Sequence, residues 1–322
     1  MKHYLEFPSW ISPVIIPGLP FHWYGLMYII VIVITYLLFQ YQAKQEKFEI
    51  KKSDVEDLFI WCIVGALIGA RIFAVTIFSS TNEYLMKPWL IFWPFRDGQF
   101  VGIAGMNYYG GIAGLMVAYL IFVRIKKLNG LKIMDLVLCG FPLAYTFGRI
   151  GNFINGELYG RVTDVPWGMV FPHAQRFPTE LPWVQEIMTK VGIESAGSMV
   201  NLPRHPTQIY EAFLEGILLW AVIWFFFRKR RAFDGLIVCV YLIGYGLVRF
   251  FVDYFRMPLT GDFALKLSSI KNPPYLLLTP LNLTMSQIFS FLMVACGIIA
   301  FFVLRNRSRR ESAGEAGDAG QQ

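Results

Sequence analysis

Residues 21–41 read FHWYGLMYIIVIVITYLLFQY, and this stretch contains no Asp, Glu, Lys or Arg. A helix needs about 20 apolar residues to cross the hydrocarbon core of a bilayer. The stretch therefore predicts a transmembrane helix close to the N-terminus. We expect this helix to be retained, because the proline-rich segment before it lacks the basic start and the small-residue cleavage site of a signal peptide.

Six further apolar runs follow along the chain, at residues 58–78, 103–123, 134–154, 207–227, 233–255 and 285–304. The chain is 56% hydrophobic and 16% charged, whereas soluble domains carry roughly 25% charged residues. The sequence therefore predicts an all-α polytopic membrane protein with about seven transmembrane helices and short segments outside the bilayer. Residues 1–310 form one membrane domain in this interpretation, and residues 311–322 form a disordered cytoplasmic tail.

Clusters of Lys and Arg follow the first, third, fifth and seventh runs, and cytoplasmic loops carry the excess of these residues. The clusters are Lys44, Lys47, Lys51 and Lys52; Arg124, Lys126, Lys127 and Lys132; Arg228, Lys229, Arg230 and Arg231; and Arg305, Arg307, Arg309 and Arg310. This alternation predicts an N-terminus outside the cell membrane and a C-terminus in the cytoplasm. It also accounts for the net charge of +7 without a nucleic-acid partner.

Few ionisable residues lie inside the runs, and such residues are functional candidates because burying them in a bilayer is costly. They are Arg71, Arg149, Glu211, Glu215, Arg249 and Asp253. Arg249 and Asp253 are four residues apart, so they share a helix face and can pair. A buried ion pair that only fixes the helix register is the simpler interpretation of these two. Gly65 with Gly69, and Gly110 with Gly114, have the spacing of helix–helix contacts.

The densest polar stretch is residues 148–160, GRIGNFINGELYG. Its four glycines permit close backbone approach and left-handed backbone conformations, so we expect the helix to end near Gly156. Irregular polar backbone at this depth must line a cavity or be buried in protein. A cation, two carboxamides and exposed backbone N–H groups suit a phosphate-bearing ligand. The alternative is a polar helix end with packing glycines.

Tyr24, the end of this stretch, residues 205–211 and residues 253–256 all fall towards the outer membrane face in the predicted topology. The sequence therefore predicts one site, open to the outer leaflet.

The stretch 148–160 resembles the diagnostic motif of the bacterial prolipoprotein diacylglyceryl transferases. The resemblance extends to four further blocks in the same order along the chain. These are His22-Trp-Tyr-Gly-Leu-Met27, Gly69-Ala-Arg71, His205-Pro-Thr-Gln-Ile-Tyr-Glu211 and Gly244-Tyr-Gly-Leu-Val-Arg-Phe-Phe-Val-Asp-Tyr-Phe-Arg-Met-Pro258.

The resemblance implies a transferase of the bacterial inner membrane, a seven-helix membrane body with short periplasmic elements, that uses no metal and no cofactor. Its substrates would be phosphatidylglycerol and the lipobox cysteine in the signal peptide of a preprolipoprotein. The diacylglyceryl group would move to the thiol, a thioether would form, and glycerol-1-phosphate would leave.

By the same resemblance, the residues divide into two overlapping groups. The catalytic candidates are Arg149, Arg249, Tyr24, Glu157 and Tyr109, and the phosphatidylglycerol-binding candidates are Arg149, Asn152, Gly160, Arg249, Asp253 and Arg71.

Two positions depart from the family pattern. Asp253 stands where many members carry Glu, and Tyr109 stands where many carry a His that has been proposed as the base. A tyrosine with a pKa near 10 is a poor base at neutral pH. Either a nearby Arg activates Tyr109, or Glu157, His22 or water takes the thiol proton.

Two other classes of protein were weighed against the transferase. A lipid transporter or flippase would need polar groups through both leaflets, whereas a membrane scaffold would not need the cluster at Arg149 and Glu157.

Overall fold

A computed structural model describes residues 3–16, 18, 21–77, 83–93, 95–96, 99–100, 105–194, 197–257, 265–266, 276 and 282–319. Eleven α-helices lie in these ranges. They are α1 (Trp23–Gln45), α2 (Lys52–Ile77), α3 (Glu83–Met86), α4 (Tyr108–Lys126), α5 (Gly130–Leu138), α6 (Phe141–Ile154), α7 (Pro182–Val191), α8 (Thr207–Glu211), α9 (Leu219–Val222), α10 (Leu236–Val252) and α11 (Met285–Ala319).

The described strands are all two residues long. Strand β1 (Leu5–Glu6) pairs in parallel with β4 (Met169–Val170). Three antiparallel pairs join β2 (Phe95–Arg96) to β3 (Gln99–Phe100), β5 (Phe177–Pro178) to β6 (Met199–Val200), and β7 (Leu265–Lys266) to β8 (Asn282–Leu283). The protein is therefore all-α in architecture.

Seven helical segments match the predicted spans. Five are long and apolar enough to cross a bilayer: α1, residues 52–76 of α2, α4, the continuous helical segment Thr207–Arg230, and residues 285–313 of α11. Helices α5 and α6 meet the same length and hydropathy criterion only as a pair, which is bent by 51° and corresponds to the predicted span at residues 134–154. The seventh, α10, has 17 residues, which is the lower limit for a span. Large apolar side chains such as Ile29, Phe225 and Ile299 are more than half exposed, as lipid-facing residues are. The chain is a multi-pass membrane protein.

The bend between α5 and α6 corrects the prediction of one unbroken helix over residues 134–154. Pro142 lies in the first turn of α6, where the missing N–H of a proline is tolerated. In the interior of a continuous helix from α5 the same proline would be unfavourable. A Cβ on Gly140 would lie 2.7 Å from Cβ of Leu38. The break therefore lets α1 approach the chain closely at Gly140.

The chain divides into two compact units, residues 1–41 with 134–322 and residues 42–133. The prediction of one domain over residues 1–310 stays a prediction, as does the disordered tail, although α11 continues to Ala319. In the second unit, α2 packs on α4 through the predicted glycine pairs. A Cβ on Gly65 would lie 2.7 Å from the carbonyl oxygen of Gly114, and one on Gly69 would clash with the carbonyl oxygen of Gly110.

In the first unit, Asp135 fixes the start of α10. The sequence analysis overlooked this carboxylate, which is fully buried. Its two oxygens accept hydrogen bonds from the backbone N–H groups of Gly235 (2.8 Å) and Val238 (3.0 Å). Asp135 therefore caps α10 from a different helix, and it satisfies N–H groups that have no partner inside α10.

The segments beyond the membrane-facing helices are joined by short backbone bridges. Gly160 pairs with Arg256, and Arg204 pairs with both Val162 and Met169. Beside these bridges lies His205, whose Nδ1 is 3.1 Å from the hydroxyl of Tyr210.

We expect Asp135→Ala to lower the free energy of unfolding by about 1–2 kcal/mol, the usual cost of a lost helix cap. Asp135→Asn keeps one acceptor oxygen and should lose less. Unfolding in mixed detergent and SDS micelles measures both variants against the parent. Equal stability of Asp135→Ala and the parent would contradict the capping role.

Burial is the main cause that lowers the pKa of His205 to about 4; the charge of Asp164 opposes this shift and that of Arg161 adds to it. Between about pH 6.5 and pH 4 the unfolded chain therefore binds the extra proton, so stability falls as the pH falls, by roughly 3 kcal/mol. His205→Gln should flatten that part of the pH–stability curve, measured by the same unfolding assay. An unchanged slope would show that His205 is not buried in its neutral form.

Candidate active site

A buried carboxylate, Glu211, joins three arginines. Nε of Arg149 lies 2.9 Å from Oε2 of Glu211, and Nη1 of Arg249 lies 2.9 Å from Oε1. Arg256 donates to the same Oε1. Glu211 is 0% exposed, so these contacts replace its hydration. They bring together α6, α8 and the end of α10.

Two further carboxylates complete this cluster. Oε1 of Glu215 lies 3.5 Å from Nη1 of Arg249, and its Oε2 accepts a hydrogen bond from the hydroxyl of Tyr145 at 2.5 Å. Asp253 lies 3.5 Å from Nη2 of Arg249, which confirms the predicted pair. The other oxygen of Asp253 accepts from the hydroxyl of Thr284. Three arginines thus meet three carboxylates, and we call these six residues the ion cluster.

A chain of hydrogen bonds leads from the ion cluster to the surface. Nη1 of Arg149 donates to Oδ1 of Asn152 at 3.3 Å, and Nδ2 of Asn152 donates to Oε1 of Glu157 at 2.9 Å. Asn152 is buried, whereas Glu157 is exposed. None of the described residues accepts a hydrogen bond from Nη2 of Arg149. Arg149 and Asn152 therefore each keep an N–H group that a phosphate oxygen can accept from.

The end of α6 positions this chain. The helix ends at Ile154, close to the predicted end, and Gly156 has a φ of +64°. Leu158 also has a positive φ, +56°, which is uncommon for a residue other than glycine. The backbone carbonyl of Glu157, between these two residues, accepts a hydrogen bond from Nε2 of Gln208 at 2.6 Å. The turn is thus held in place by the start of α8.

Gly160 lies where three segments meet. Its N–H donates to the carbonyl of His205 at 2.8 Å, and the next N–H, of Arg161, donates to the carbonyl of Phe255 at 2.8 Å. A Cβ on Gly160 would clash with the carbonyl oxygen of Phe255 and lie 2.7 Å from Cγ2 of Thr207. Only glycine permits this approach.

Tyr24 lies at the start of α1, beside Gly151 of α6. A Cβ on Gly151 would lie 3.2 Å from Met27 and 3.8 Å from the ring of Tyr24. The hydroxyl of Tyr24 is 2.8 Å from that of Tyr28, whose electrostatic environment includes Arg149 and Glu157. Tyr28, which the sequence analysis did not name, is thus a direct neighbour of Tyr24.

Arg71 and Tyr109 belong to the second unit, and their described contacts are with residues of that unit. Nε of Arg71 donates to the carbonyl of Ile91 at 2.6 Å, and Nη1 donates to the carbonyl of Gly105 at 3.3 Å. Tyr109 lies in the first turn of α4 and is 58% exposed. The substrate contacts of both residues stay predictions.

The sequence analysis named Glu211 and Glu215 as functional candidates because they lie inside an apolar run, but it assigned them no partners, and it gave no role to Tyr145 or Arg256. Two carboxylates four residues apart in such a run require cations nearby, and this requirement could have paired them with the arginines. No such signal marks Tyr145, which lies among many aromatic residues.

Comparisons with known proteins agree with this geometry. A family model described as prolipoprotein diacylglyceryl transferase matches residues 13–303. A phosphatidylglycerol–prolipoprotein diacylglyceryl transferase of Treponema pallidum is 41% identical over 97% of this chain and 98% of its own length. Relatives with the same name in Treponema denticola and Campylobacter hominis are 42% and 35% identical, over 93% and 91% of this chain and 94% and 90% of their own lengths. The chain therefore belongs to the prolipoprotein diacylglyceryl transferase family.

Proposed function

We propose that this protein transfers the diacylglyceryl group of phosphatidylglycerol to the lipobox cysteine of prolipoproteins. The thiol sulfur forms a thioether bond to the glyceryl carbon, the C–O bond to phosphate breaks, and glycerol-1-phosphate leaves. The observation that carries the proposal is the ion cluster, with the free N–H groups of Arg149 and Asn152 at its edge. The names of the relatives supply both substrates.

Charge explains how this site would lower the barrier. The departing phosphate gains negative charge as the C–O bond breaks, and preorganised donors near that oxygen stabilise the transition state. Arg149 and Asn152 bind the phosphate in this proposal. Arg249 donates to Glu211, Asp253 and Ser286, so it adds positive potential and holds Glu211 in position. Gly160 keeps the surrounding backbone close.

The thiol must lose its proton, because the thiolate is the reactive form. We assign this proton to Glu157, since its carboxylate is exposed and hydrogen-bonded through Asn152 to the arginine that binds phosphate. Tyr24 and Tyr28 then line the approach from α1. Tyr109, His22 and water are the alternative acceptors.

The location of the site follows from the basic clusters. Membership of the family implies the bacterial inner membrane, and the basic clusters predict an orientation with a periplasmic N-terminus and a cytoplasmic C-terminus. The start of α1 and the end of α6 then lie on the periplasmic side, where the polar residues of the first unit collect. This one-sided distribution favours an enzyme over a lipid transporter.

We expect Asn152→Ala to lower the rate of transfer by about 100-fold or more, the usual loss for a single transition-state donor. Arg249→Ala should also lower the rate, because it removes positive potential from the site and a partner of Glu211. Purified protein, phosphatidylglycerol and a lipobox peptide with one cysteine are mixed, and mass spectrometry follows the peptide. Arg307→Ala, on the exposed end of α11, is the matched control. Tyr109→Phe should retain transfer activity. A loss of transfer in this variant would identify the phenol of Tyr109 as the proton acceptor. A folded parent that never modifies the peptide would overturn the proposed function.

Glu211→Gln and Glu157→Gln separate structure from chemistry. Removing the charge of Glu211 leaves buried arginines unpaired and should cost about 3–5 kcal/mol of stability. Glu157→Gln removes an exposed charge, so stability should stay within about 0.5 kcal/mol while transfer at neutral pH falls. Micelle unfolding and the transfer assay are run on both variants. A stable Glu211→Gln protein would contradict the structural role of the ion cluster.

A further inference from the structure

A cavity of about 550 Å³ lies next to the candidate active site, in the first unit. It is lined by the chain before α1 (Tyr4 to Pro13), by the end of α6 (Ile154 to Gly156), and by segments near β4 and β6. Ligand-binding cavities typically have volumes of about 300–1,000 Å³. All of its lining residues lie outside the membrane-spanning helices or at the very end of α6. The cavity therefore lies in the part of the first unit that is outside the bilayer.

Two side-chain oxygens in this lining have no hydrogen-bond partner among the described residues. They are Oδ1 of Asn155 and Oδ1 of Asn201, and both are buried. The orientation of each amide is set by its nitrogen. Nδ2 of Asn201 donates to the carbonyl of Phe171 at 2.6 Å, and Nδ2 of Asn155 donates to Glu157 at 3.4 Å. A flipped amide would place an oxygen against an acceptor, so each oxygen is left to accept from a donor outside the described residues, either a water molecule or a ligand.

The charge of the lining narrows the class of ligand. The lining residues include Glu6 but no Lys or Arg. The lining also includes His173, but an anionic phosphate head group would meet no Lys or Arg there and would share the cavity with the carboxylate of Glu6. A polypeptide backbone carries one N–H donor per residue, and the apolar side chains of Phe7, Ile11 and Ile193 in the same lining suit the side chains of a peptide.

We propose that this cavity binds the polypeptide substrate, and that Asn155 and Asn201 accept hydrogen bonds from the backbone N–H groups that follow the modified cysteine. This inference rests on the proposed transferase function. The apolar signal segment before the cysteine stays in the bilayer, whereas the chain after it leaves the membrane, where this cavity lies. Asn155 contacts Glu157, so the bound peptide would continue directly to the proton acceptor.

The test uses the full chain, phosphatidylglycerol in detergent, and two lipobox peptides. The short peptide ends at the cysteine as an amide, and the long peptide carries six further residues. We expect a higher kcat/KM for the long peptide. In Asn201→Ala the ratio of long to short kcat/KM should fall roughly threefold to tenfold, as one lost hydrogen bond predicts. The ratio is unaffected by the fraction of folded protein. Asn306→Ala, on the exposed surface of α11, is the matched control and should keep the parent ratio.

A second arm removes the donor instead of the acceptor. Methylating the backbone nitrogens after the cysteine should lower kcat/KM of the long peptide in the parent but have little further effect in the Asn155→Ala/Asn201→Ala double variant. Such coupling would support the inference. Equal kcat/KM for both peptides in the parent, or an unchanged ratio in Asn201→Ala, would overturn it while leaving the transferase function intact. Transfer to neither peptide would overturn both.

Discussion

The carboxylate of Glu211 is the interaction on which the first unit depends. It lies at the start of one span and is shared by Arg149 from α6 and by Arg249 and Arg256 from the end of α10. Separating any of these helices would leave charge buried without a partner, which costs several kcal/mol. Glu215 and Asp253 bring the ion cluster to three arginines and three carboxyl groups. The carboxyl groups offset the charge of the buried arginines, and the contacts among these side chains hold the cluster in place.

A second constraint, at Gly160, places the loops over this cluster. The backbone of residues 160–161 lies between the segment before α8 and the end of α10, and it hydrogen-bonds to both. A side chain at Gly160 would force these segments apart. The two constraints act on the same helices, since Glu211 and Thr207 lie on α8 and Arg256 follows α10. The polar end of the site is thus held together by the ion pairs of Glu211 and by the backbone hydrogen bonds of residues 160–161.

The apolar runs were sufficient to predict the spans, because run length and hydropathy reflect the bilayer directly. The break at Gly140 was missed, since a glycine and a proline inside an apolar run also occur in continuous membrane helices. The pair of Arg249 and Asp253 was predictable because its partners share one helix face. The contacts of Glu211 were not, since they join residues far apart in sequence. Asp135 was overlooked although it lies inside the run 134–154. Its partners could not be predicted from spacing, because Gly235 and Val238 lie about a hundred residues away.

Charge stabilisation and proton transfer place different demands on the residues of the site, and this difference bears on Tyr109, which stands where many family members carry a His. The blocks at 148–160, 205–211 and 244–258 all meet at the ion cluster, where the loss of one member leaves a buried charge unpaired. A proton acceptor for the thiol has no such constraint, because any exposed base within reach of the sulfur can serve. Glu157 meets that requirement and is already linked through Asn152 to Arg149. A sequence can therefore replace a histidine with Tyr109 and keep the chemistry, provided that the arginines and carboxylates around Glu211 remain complete.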